Sequence, residues 1–277
     1  MSEPLLQVTD LVVRFTGRRG AYKEVIRGVS FDLAAGETLS IVGESGSGKT
    51  TIGRAILGLA PVTAGTISFR GSPINTLSRA DRRRQAKDIQ VVFQDPYSSL
   101  NPAMTVEAIL VEPLRAAGIE GGRNRVQELL DAVGLPANAG TRYPREFSGG
   151  QRQRIAIARA LALEPAVIVC DEPTSALDVT TQATVLNLFK DLQEATGVAY
   201  LFISHDLGVV NRVSDRIAVL HEGALVELGP ARQIATAPRH PYTRRLQMAA
   251  PVADPTIQRR RREERLLMLE QSDSQST

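Results

Sequence analysis

A glycine-rich stretch, GESGSGKT at residues 43–50, has the most clearly defined chemistry in this sequence. It fits the pattern Gly-x-x-x-x-Gly-Lys-Ser/Thr, after an apolar run and before a helical pattern. Gly43, Gly46 and Gly48 are expected to take positive φ angles and to bring backbone N–H groups close to phosphate oxygens. Lys49 supplies charge to the β- and γ-phosphates, and the Thr50 hydroxyl is a candidate Mg²⁺ ligand. The predicted cofactors are ATP and Mg²⁺, and the predicted nucleotide-binding residues are Gly43, Glu44, Ser45, Gly46, Ser47, Gly48, Lys49, Thr50 and Thr51.

Two carboxylates and a histidine follow other apolar runs. AVIVCDE (166–172) ends in Asp171 and Glu172, and consecutive residues at a strand tip point to opposite sides, so we expect them to have different tasks. We assign Asp171 to the Mg²⁺ shell and Glu172 to general-base catalysis on the attacking water. AYLFISHD (199–206) contains His205, for which we expect a catalytic role in sensing the γ-phosphate or positioning the water. Lys49 completes the predicted charged catalytic set.

A second helix start with anion-binding character lies in FSGGQRQRIAIARAL (147–161). Ser148 is a favoured N-cap, and Gly149 and Gly150 leave backbone N–H groups uncovered. This helix start is not expected to share the phosphate already held by Lys49. We infer that it serves a nucleotide held by another subunit.

The elements that must position these residues follow an alternating pattern. TLSIVG (38–43), IQVVFQ (89–94), AVIVCD (166–171) and AYLFIS (199–204) are typical of buried strands, with helical patterns at 50–59 and 180–196. This order predicts an α/β fold with a mainly parallel sheet.

Two regions depart from the alternation and set the predicted domains. Residues 5–37 and 62–72 indicate an antiparallel β flap, and 95 to about 160 indicates a helical insert. We predict an ATP-binding core with its β subdomain at 1–94 and 160–235, and a helical subdomain at 95–159. An extension is predicted at 236–277, with 270–277 expected to be disordered.

Composition limits the class of protein. The chain has 277 residues, a net charge of +3 and one cysteine, which excludes an internal disulfide and fits a reducing cytosol. Its apolar runs are shorter than the ~20 residues that a membrane-spanning helix needs. The N-terminus lacks a positive region followed by an apolar run, so no secretory signal is expected.

Together these motifs resemble the nucleotide-binding subunit of an ABC transporter, over residues 5 to 250. They occur in the family's order: Walker A GESGSGKT (43–50), Q-loop Gln94, signature FSGGQ (147–151), Walker B AVIVCDE (166–172), D-loop SALD (175–178) and switch His205. Phe147 replaces the family's usual leucine. The resemblance implies a P-loop NTPase (RecA-like) sheet with the flap and inserted helices described above.

The family's mechanism implies roles for further residues. Two subunits are expected to enclose two ATP molecules, with Ser148, Gly149, Gly150, Gln151 and Asp178 completing the site of the partner subunit. Phe15 resembles the aromatic residue that stacks on adenine, and Tyr22 is the alternative.

Gln94 is a further predicted catalytic residue and Mg²⁺ ligand. By itself, FQDPYSSLNP (93–102) indicates only a surface turn, since Pro96 and Pro102 resist continued strand or helix. Within this family, the Gln94 amide is expected near Mg²⁺ and the attacking water. It would link hydrolysis to the helical insert.

A narrower resemblance is to the oligopeptide/dipeptide/nickel importer branch, on FQDPYSSLNP, DEPTSALDVTTQA (171–183) and HPYTRRL (240–246). It implies a peripheral ATPase at the cytoplasmic face of the inner membrane, pairing with a same or similar subunit. Two transmembrane permease subunits and, indirectly, an external solute-binding protein are the other implied partners. RRRREER (259–265) is followed by no cysteine, so the iron–sulfur cluster of some relatives is excluded. Di- or oligopeptide is the preferred cargo, with nickel, opines or another small solute as alternatives.

Two other classes of function remain as rivals. The runs RRR (82–84) and RRRR (259–262) are compatible with an ABC ATPase that acts on nucleic acid, whose binding would weaken steeply with salt. The single ATPase module argues against it, and no nucleic acid is expected as a partner. A regulator that binds ATP without hydrolysis is disfavoured because the catalytic residues are intact.

Overall fold

Two β-sheets and the helices that follow their strands account for the chain in this computed structural model, which describes residues 3–16, 22–119 and 123–249. The strands are β1 (Leu6–Thr16), β2 (Tyr22–Leu33), β3 (Thr38–Val42), β4 (Ala64–Phe69), β5 (Ser72–Pro73), β6 (Ile89–Val92), β7 (Val167–Asp171), β8 (Ala199–Ser204), β9 (Arg216–His221) and β10 (Ala224–Pro230). The helices are α1 (Lys49–Ile56), α2 (Arg79–Gln85), α3 (Pro96–Ser99), α4 (Val106–Ala116), α5 (Arg123–Ala132), α6 (Gly149–Leu161), α7 (Val179–Thr196), α8 (Leu207–Val210), α9 (Ala231–Thr236) and α10 (Pro241–Ala249). Single 3₁₀ turns lie at Ala137–Thr141 and Pro144–Glu146.

The larger sheet has the order β10-β9-β3-β8-β7-β6. All of its neighbouring strands pair in parallel except β9 and β10, which form an antiparallel hairpin. The four predicted buried strands are confirmed, and His221 lies at the end of β9, beside the turn to β10. Strand β6 ends at Val92, two residues before the predicted end at Gln94. The mainly parallel α/β fold is therefore confirmed.

The sheet is buried on both faces, as parallel sheets are. Alternate residues of β7 divide between two apolar clusters. Ile168 and Cys170 pack with the helical residues of α4 to α7, and Val167 and Val169 pack with α1 and the smaller sheet. This alternation directs Asp171 toward the side of the sheet that carries α1.

The smaller sheet is the predicted flap. It is antiparallel, with the order β2-β1-β4-β5. Within 95–159, the residues that the structure describes form helices and turns and no strand. Helix α6 continues to Leu161, past the predicted subdomain boundary at 159. In the described ranges, no helix has the length and apolar character needed to cross a membrane. The predicted disordered end at 270–277 and the arginine-rich segment 259–265 lie outside the described residues.

Candidate functional site

The glycine-rich loop connects β3 to α1 as predicted. Gly46 and Gly48 have φ angles of 82° and 106°, and Gly48 is the N-cap of α1. The expected positive φ at Gly43 is wrong, because Gly43 is not among the positive-φ glycines. Close packing explains this glycine, since an added Cβ would lie 2.1 Å from the carbonyl oxygen of Leu220.

Lys49 is folded back onto its own loop. Its Nζ donates hydrogen bonds of 2.8 Å to the carbonyl oxygens of Gly43 and Glu44, and the residue is 4% exposed. Burial lowers the pKa of Lys49, while the nearby carboxylates of Glu172 and Asp171 act in the opposite direction. The ammonium group is thus already desolvated at the floor of the loop.

Thr50 and Asp171 lie side by side beneath the loop. The Thr50 hydroxyl donates to Asp171 Oδ1 at 2.9 Å. Burial raises the pKa of Asp171, and the negative charge of Glu172 raises it further, although the Thr50 hydrogen bond opposes the shift. A carboxylate and a hydroxyl are the oxygen ligands that Mg²⁺ accepts, with water and phosphate filling its other positions. In the described ranges, no group of three or more His, Cys, Asp or Glu residues is arranged to hold a metal alone.

The loop also has features that suit a phosphate oxygen. The hydroxyl of Ser47 is buried, and it has no hydrogen-bond partner among the described residues. Buried hydroxyls are normally paired. An added Cβ at Gly48 would lie 2.6 Å from Ile26 Cδ1, so the backbone here has no room for a side chain. The buried Ser47 hydroxyl and the ammonium group of Lys49 therefore form a set of donors that fits a bound phosphate.

Glu172 is the centre of a hydrogen-bonded group at the ends of three adjacent strands. Its Oε2 accepts from Gln94 Nε2 at 3.2 Å and lies 3.1 Å from His205 Nδ1. The structure thus brings together the predicted catalytic residues that follow β6, β7 and β8. Gln94, also predicted as a Mg²⁺ ligand, directs its amide nitrogen to Glu172.

The backbone at Glu172 has an unusual conformation. Its φ is 48°, which is uncommon for a residue other than glycine. Its N–H donates to the carbonyl of Ile203 at 2.9 Å, which ties the turn to β8. Sequence reasoning identified the carboxylate and missed this conformation.

The signature residues form a separate cluster. Ser148 caps α6 by accepting from Gln151 N at 3.3 Å, and Gln151 Oε1 accepts from Ser148 N at 3.0 Å, which makes a capping box. An added Cβ at Gly150 would lie 2.2 Å from Thr181 Cγ2, whereas one at Gly149 would be 3.7 Å from Leu177 Cδ2. The starts of α6 and α7 are therefore in close contact.

Asp178 belongs to this second cluster. It is the N-cap of α7, where Oδ1 accepts from the backbone N–H groups of Thr180 and Thr181. Across the described ranges, no hydrogen bond connects this cluster with the loop 43–51. The separation agrees with the inference that the cluster serves a different nucleotide.

The two candidates for stacking on adenine lie near each other on the smaller sheet. Phe15 pairs with Lys23, and Tyr22 pairs with Thr16 across the antiparallel strands. Both rings are accessible, at 41% and 74% exposure. Either ring is therefore accessible enough to stack on adenine.

One contact of the loop was missed from the sequence. Tyr242, at the start of α10, accepts a 3.1 Å hydrogen bond from the backbone N–H of Glu44. The motif HPYTRRL (240–246) was a signal of the branch, but nothing in its residue types placed it beside the loop.

A phosphate-type loop, two carboxylates, a glutamine and a histidine at one edge of a parallel sheet define a class, the P-loop nucleotide-binding proteins. The family model described as "ABC transporter" matches residues 26–175. The model described as "Oligopeptide/dipeptide transporter, C-terminal region" matches residues 226–273. The chain belongs to the ABC transporter family, and the predicted resemblance to its oligopeptide/dipeptide branch is confirmed.

The curated relatives include importer subunits. The glutathione import ATP-binding protein GsiA of Salmonella choleraesuis (strain SC-B67) is 53% identical over 269 residues, which cover 94% of this chain and 43% of that protein. GsiA of Escherichia coli (strain K12) is 52% identical over the same length, with the same coverage. The chain spans less than half the length of these relatives.

Solved structures with the same fold include ATP-binding cassettes. A dimeric structure of a post-hydrolysis state of the ATP-binding cassette MJ0796, bound to ADP and Pi, is 30% identical with a TM-score of 0.73, covering 82% of this chain and 99% of that one. The structure of cbiO1 from Clostridium perfringens, part of the ABC transporter complex cbiONQ, is 26% identical with a TM-score of 0.74, covering 84% and 91%. The predicted fold is confirmed, and it is the fold of an ABC-type ATP-binding cassette. These matches give no support to the nucleic-acid alternative.

Proposed function

We propose that this chain hydrolyses MgATP as one of a pair of ATPase subunits that power an ABC importer. The observation that carries the proposal is the position of Glu172 Oε2, held by Gln94 and His205 at the ends of adjacent strands. A carboxylate so oriented beside a phosphate loop is placed to act as a general base.

Each residue of the site has a defined task in this proposal. Lys49 and the loop amides bind the phosphate oxygens, and Thr50 and Asp171 would hold Mg²⁺, which supplies positive charge beside the phosphates when bound. Glu172 accepts the proton of the attacking water at its carboxylate. Gln94 and His205 keep that carboxylate oriented, which lowers the entropic cost of reaching a reactive geometry.

The partners follow from the two separate clusters. Among the described residues, the exposed signature start at Ser148 makes no hydrogen bond to the loop of its own chain, so we propose that it completes the nucleotide site of a second ATPase subunit, together with Gly149, Gly150, Gln151 and Asp178. The dimeric form of the MJ0796 cassette supports this arrangement. In this proposal the ATPase pair lies at the cytoplasmic face of the membrane, and two transmembrane permease subunits and, indirectly, a solute-binding protein complete the importer.

A di- or oligopeptide is the proposed cargo. Two facts support it: the match of residues 226–273 to the oligopeptide/dipeptide C-terminal region, and relatives named for import of glutathione, which is itself a short peptide. Nickel, opines or another small solute are the alternatives. Purifying the tagged chain with its membrane subunits and measuring uptake of a dipeptide, glutathione and Ni²⁺ by reconstituted vesicles would decide among them.

The domain division predicted from the sequence is retained as a proposal. The ATP-binding core with its β subdomain takes residues 1–94 and 160–235, the helical subdomain 95–159, and the C-terminal extension 236–277. Limited proteolysis with mass mapping of the fragments tests these boundaries, and cleavage concentrated inside α6 would move the second one.

Glu172→Gln tests the catalytic assignment. It removes the base and keeps the shape, so we expect ATP binding to persist while hydrolysis slows at least ~10²-fold, the usual scale for losing a general base. The control is Glu164→Gln, because Glu164 also has a positive φ, of 51°, and lies outside the site. Wild-type turnover in Glu172→Gln would place the base elsewhere.

A further inference from the structure

The C-terminal segment that contains Arg239, His240 and Tyr242 is fixed to the sheet and reaches the phosphate loop. Glu227 on β10 anchors it, since Oε1 accepts from Arg239 N at 2.8 Å and Oε2 accepts from His240 N at 3.0 Å. Tyr242 follows directly, is 3% exposed, and its hydroxyl accepts from Glu44 N at 3.1 Å. The segment is thus an ordered bridge from β10 to the loop.

The ring of Tyr242 has a second contact that leads back to the loop. It stacks on His221, with centroids 3.9 Å apart and an interplanar angle of 24°. The turn between β9 and β10 follows His221 and supports the loop at a second point. There, Gly223 N donates to the carbonyl of Ser47 at 3.0 Å. The loop is therefore held at Glu44 by Tyr242 and at Ser47 by the β9–β10 turn.

The peptide unit between Gly43 and Glu44 is held at both of its ends. Its N–H donates to Tyr242, and its carbonyl oxygen accepts from Lys49 Nζ. Hydrogen bonds at the two ends of one peptide polarise and orient each other. Tyr242 consequently fixes one of the two carbonyl groups that hold Lys49.

We propose that Tyr242 is a positioning residue for the nucleotide site, through which the C-terminal region of this branch keeps the phosphate loop in its binding conformation. This proposal rests on the proposed function. Glu227, His240 and Tyr242 all lie within residues 226–273, which match the oligopeptide/dipeptide C-terminal region. Through this bridge, the C-terminal region would stabilise the conformation of the phosphate loop at the nucleotide site.

Tyr242→Phe tests the proposal because it removes the hydroxyl and keeps the ring on His221. In the full chain without nucleotide, we expect backbone amides in residues 43–48 to exchange with deuterium about tenfold faster, since loss of the hydrogen bond frees the peptide. Binding of ADP and MgATP should weaken about threefold to tenfold, the scale of one neutral hydrogen bond that pre-organises a site. The KM for ATP should rise more than kcat falls.

Tyr200→Phe is the matched control. Tyr200 is also buried, and its hydroxyl has no hydrogen-bond partner in the part of the chain that the structure describes. Exchange in 43–48 should stay at the wild-type rate in this variant. Glu227→Gln, which weakens one of the two anchoring bonds, should give an intermediate effect.

Two results would overturn the proposal: unchanged exchange of 43–48 in Tyr242→Phe, or an equal increase in Tyr200→Phe. The exchange measurement needs no nucleotide. Its outcome therefore stands apart from the proposed ATPase activity, which Glu172→Gln tests separately.

Discussion

At the scale of single residues, the charged form of Asp171 lowers the stability of the folded protein. Its folded-state pKa is raised, chiefly by burial, above the value of the unfolded chain. Folding therefore binds more protons in the window between these two values, and the free energy of unfolding falls as the pH rises through it. Above the window, the charged carboxylate is a persistent destabilising group that a bound cation would relieve.

We expect Asp171→Asn to raise the melting temperature of the nucleotide-free protein at pH 7, because the amide removes the buried charge and keeps an oxygen for the Thr50 hydroxyl. The extra stabilisation that Mg²⁺ adds to ATP binding should be lost in the same variant. Thermal unfolding with ATP, with and without Mg²⁺, measures both effects. Asp191→Asn, at an exposed position of α7, is the control and should change neither; a lower melting temperature for Asp171→Asn would contradict the prediction.

At the scale of elements, the close contact of α6 with α7 depends on glycine at position 150, which has no side chain. Gly150→Ala would place a Cβ 2.2 Å from Thr181 Cγ2, so we expect a loss of about 1–3 kcal/mol in the free energy of unfolding, the usual cost of overpacking. Urea unfolding measures this loss.

Adding Thr181→Ser should recover most of that stability, since serine lacks the methyl group and keeps the hydroxyl that donates to Asp178 at 2.6 Å. Gly149→Ala is the matched control, because its new Cβ would be at an ordinary 3.7 Å from Leu177. Failure of the double variant to recover stability would mean that the clash with the Thr181 methyl group is not the cause of the loss.

At the scale of the whole molecule, the separation of the two clusters predicts complementation between subunits. Ser148→Arg damages only the signature start, and Lys49→Ala damages only the loop. Each variant alone should be inactive in hydrolysis, and Ser148→Arg should still bind ATP. A one-to-one mixture should recover about a quarter of wild-type activity, because half of the pairs are mixed and each mixed pair has one intact composite site.

ATPase assays of each variant and of the mixture make this measurement. Activity that stays absent in the mixture would rule out a composite site formed by two copies of this chain. Loss of ATP binding by Ser148→Arg would instead place the signature residues in the site of their own subunit.

The core and most of the site could be predicted because their signals are local. Short apolar runs that end in glycine or acidic residues define both the strands and the edge where they meet. The rest depends on tertiary packing. Position 43 must be glycine because the carbonyl of Leu220, which is distant in sequence, lies too close for a side chain. The backbone conformation of Glu172 is fixed by its hydrogen bond to β8. The contact of Tyr242 with the loop spans 198 residues, and no short motif records such a partner.

The hydrogen bonds of Lys49 to its own loop set a threshold for the ligands that the loop can bind. An incoming anion gains the ammonium group only by displacing two backbone carbonyls that already satisfy it. Charged phosphate oxygens form hydrogen bonds roughly twice as strong as neutral acceptors do, so binding here is an exchange of partners and not the filling of a vacant charge. A weakly held anion that contacts little else recovers little net free energy from that exchange, whereas a polyphosphate that also engages the loop amides recovers much more. The lysine therefore favours ligands with several phosphate groups over the simple salts of the surrounding solution.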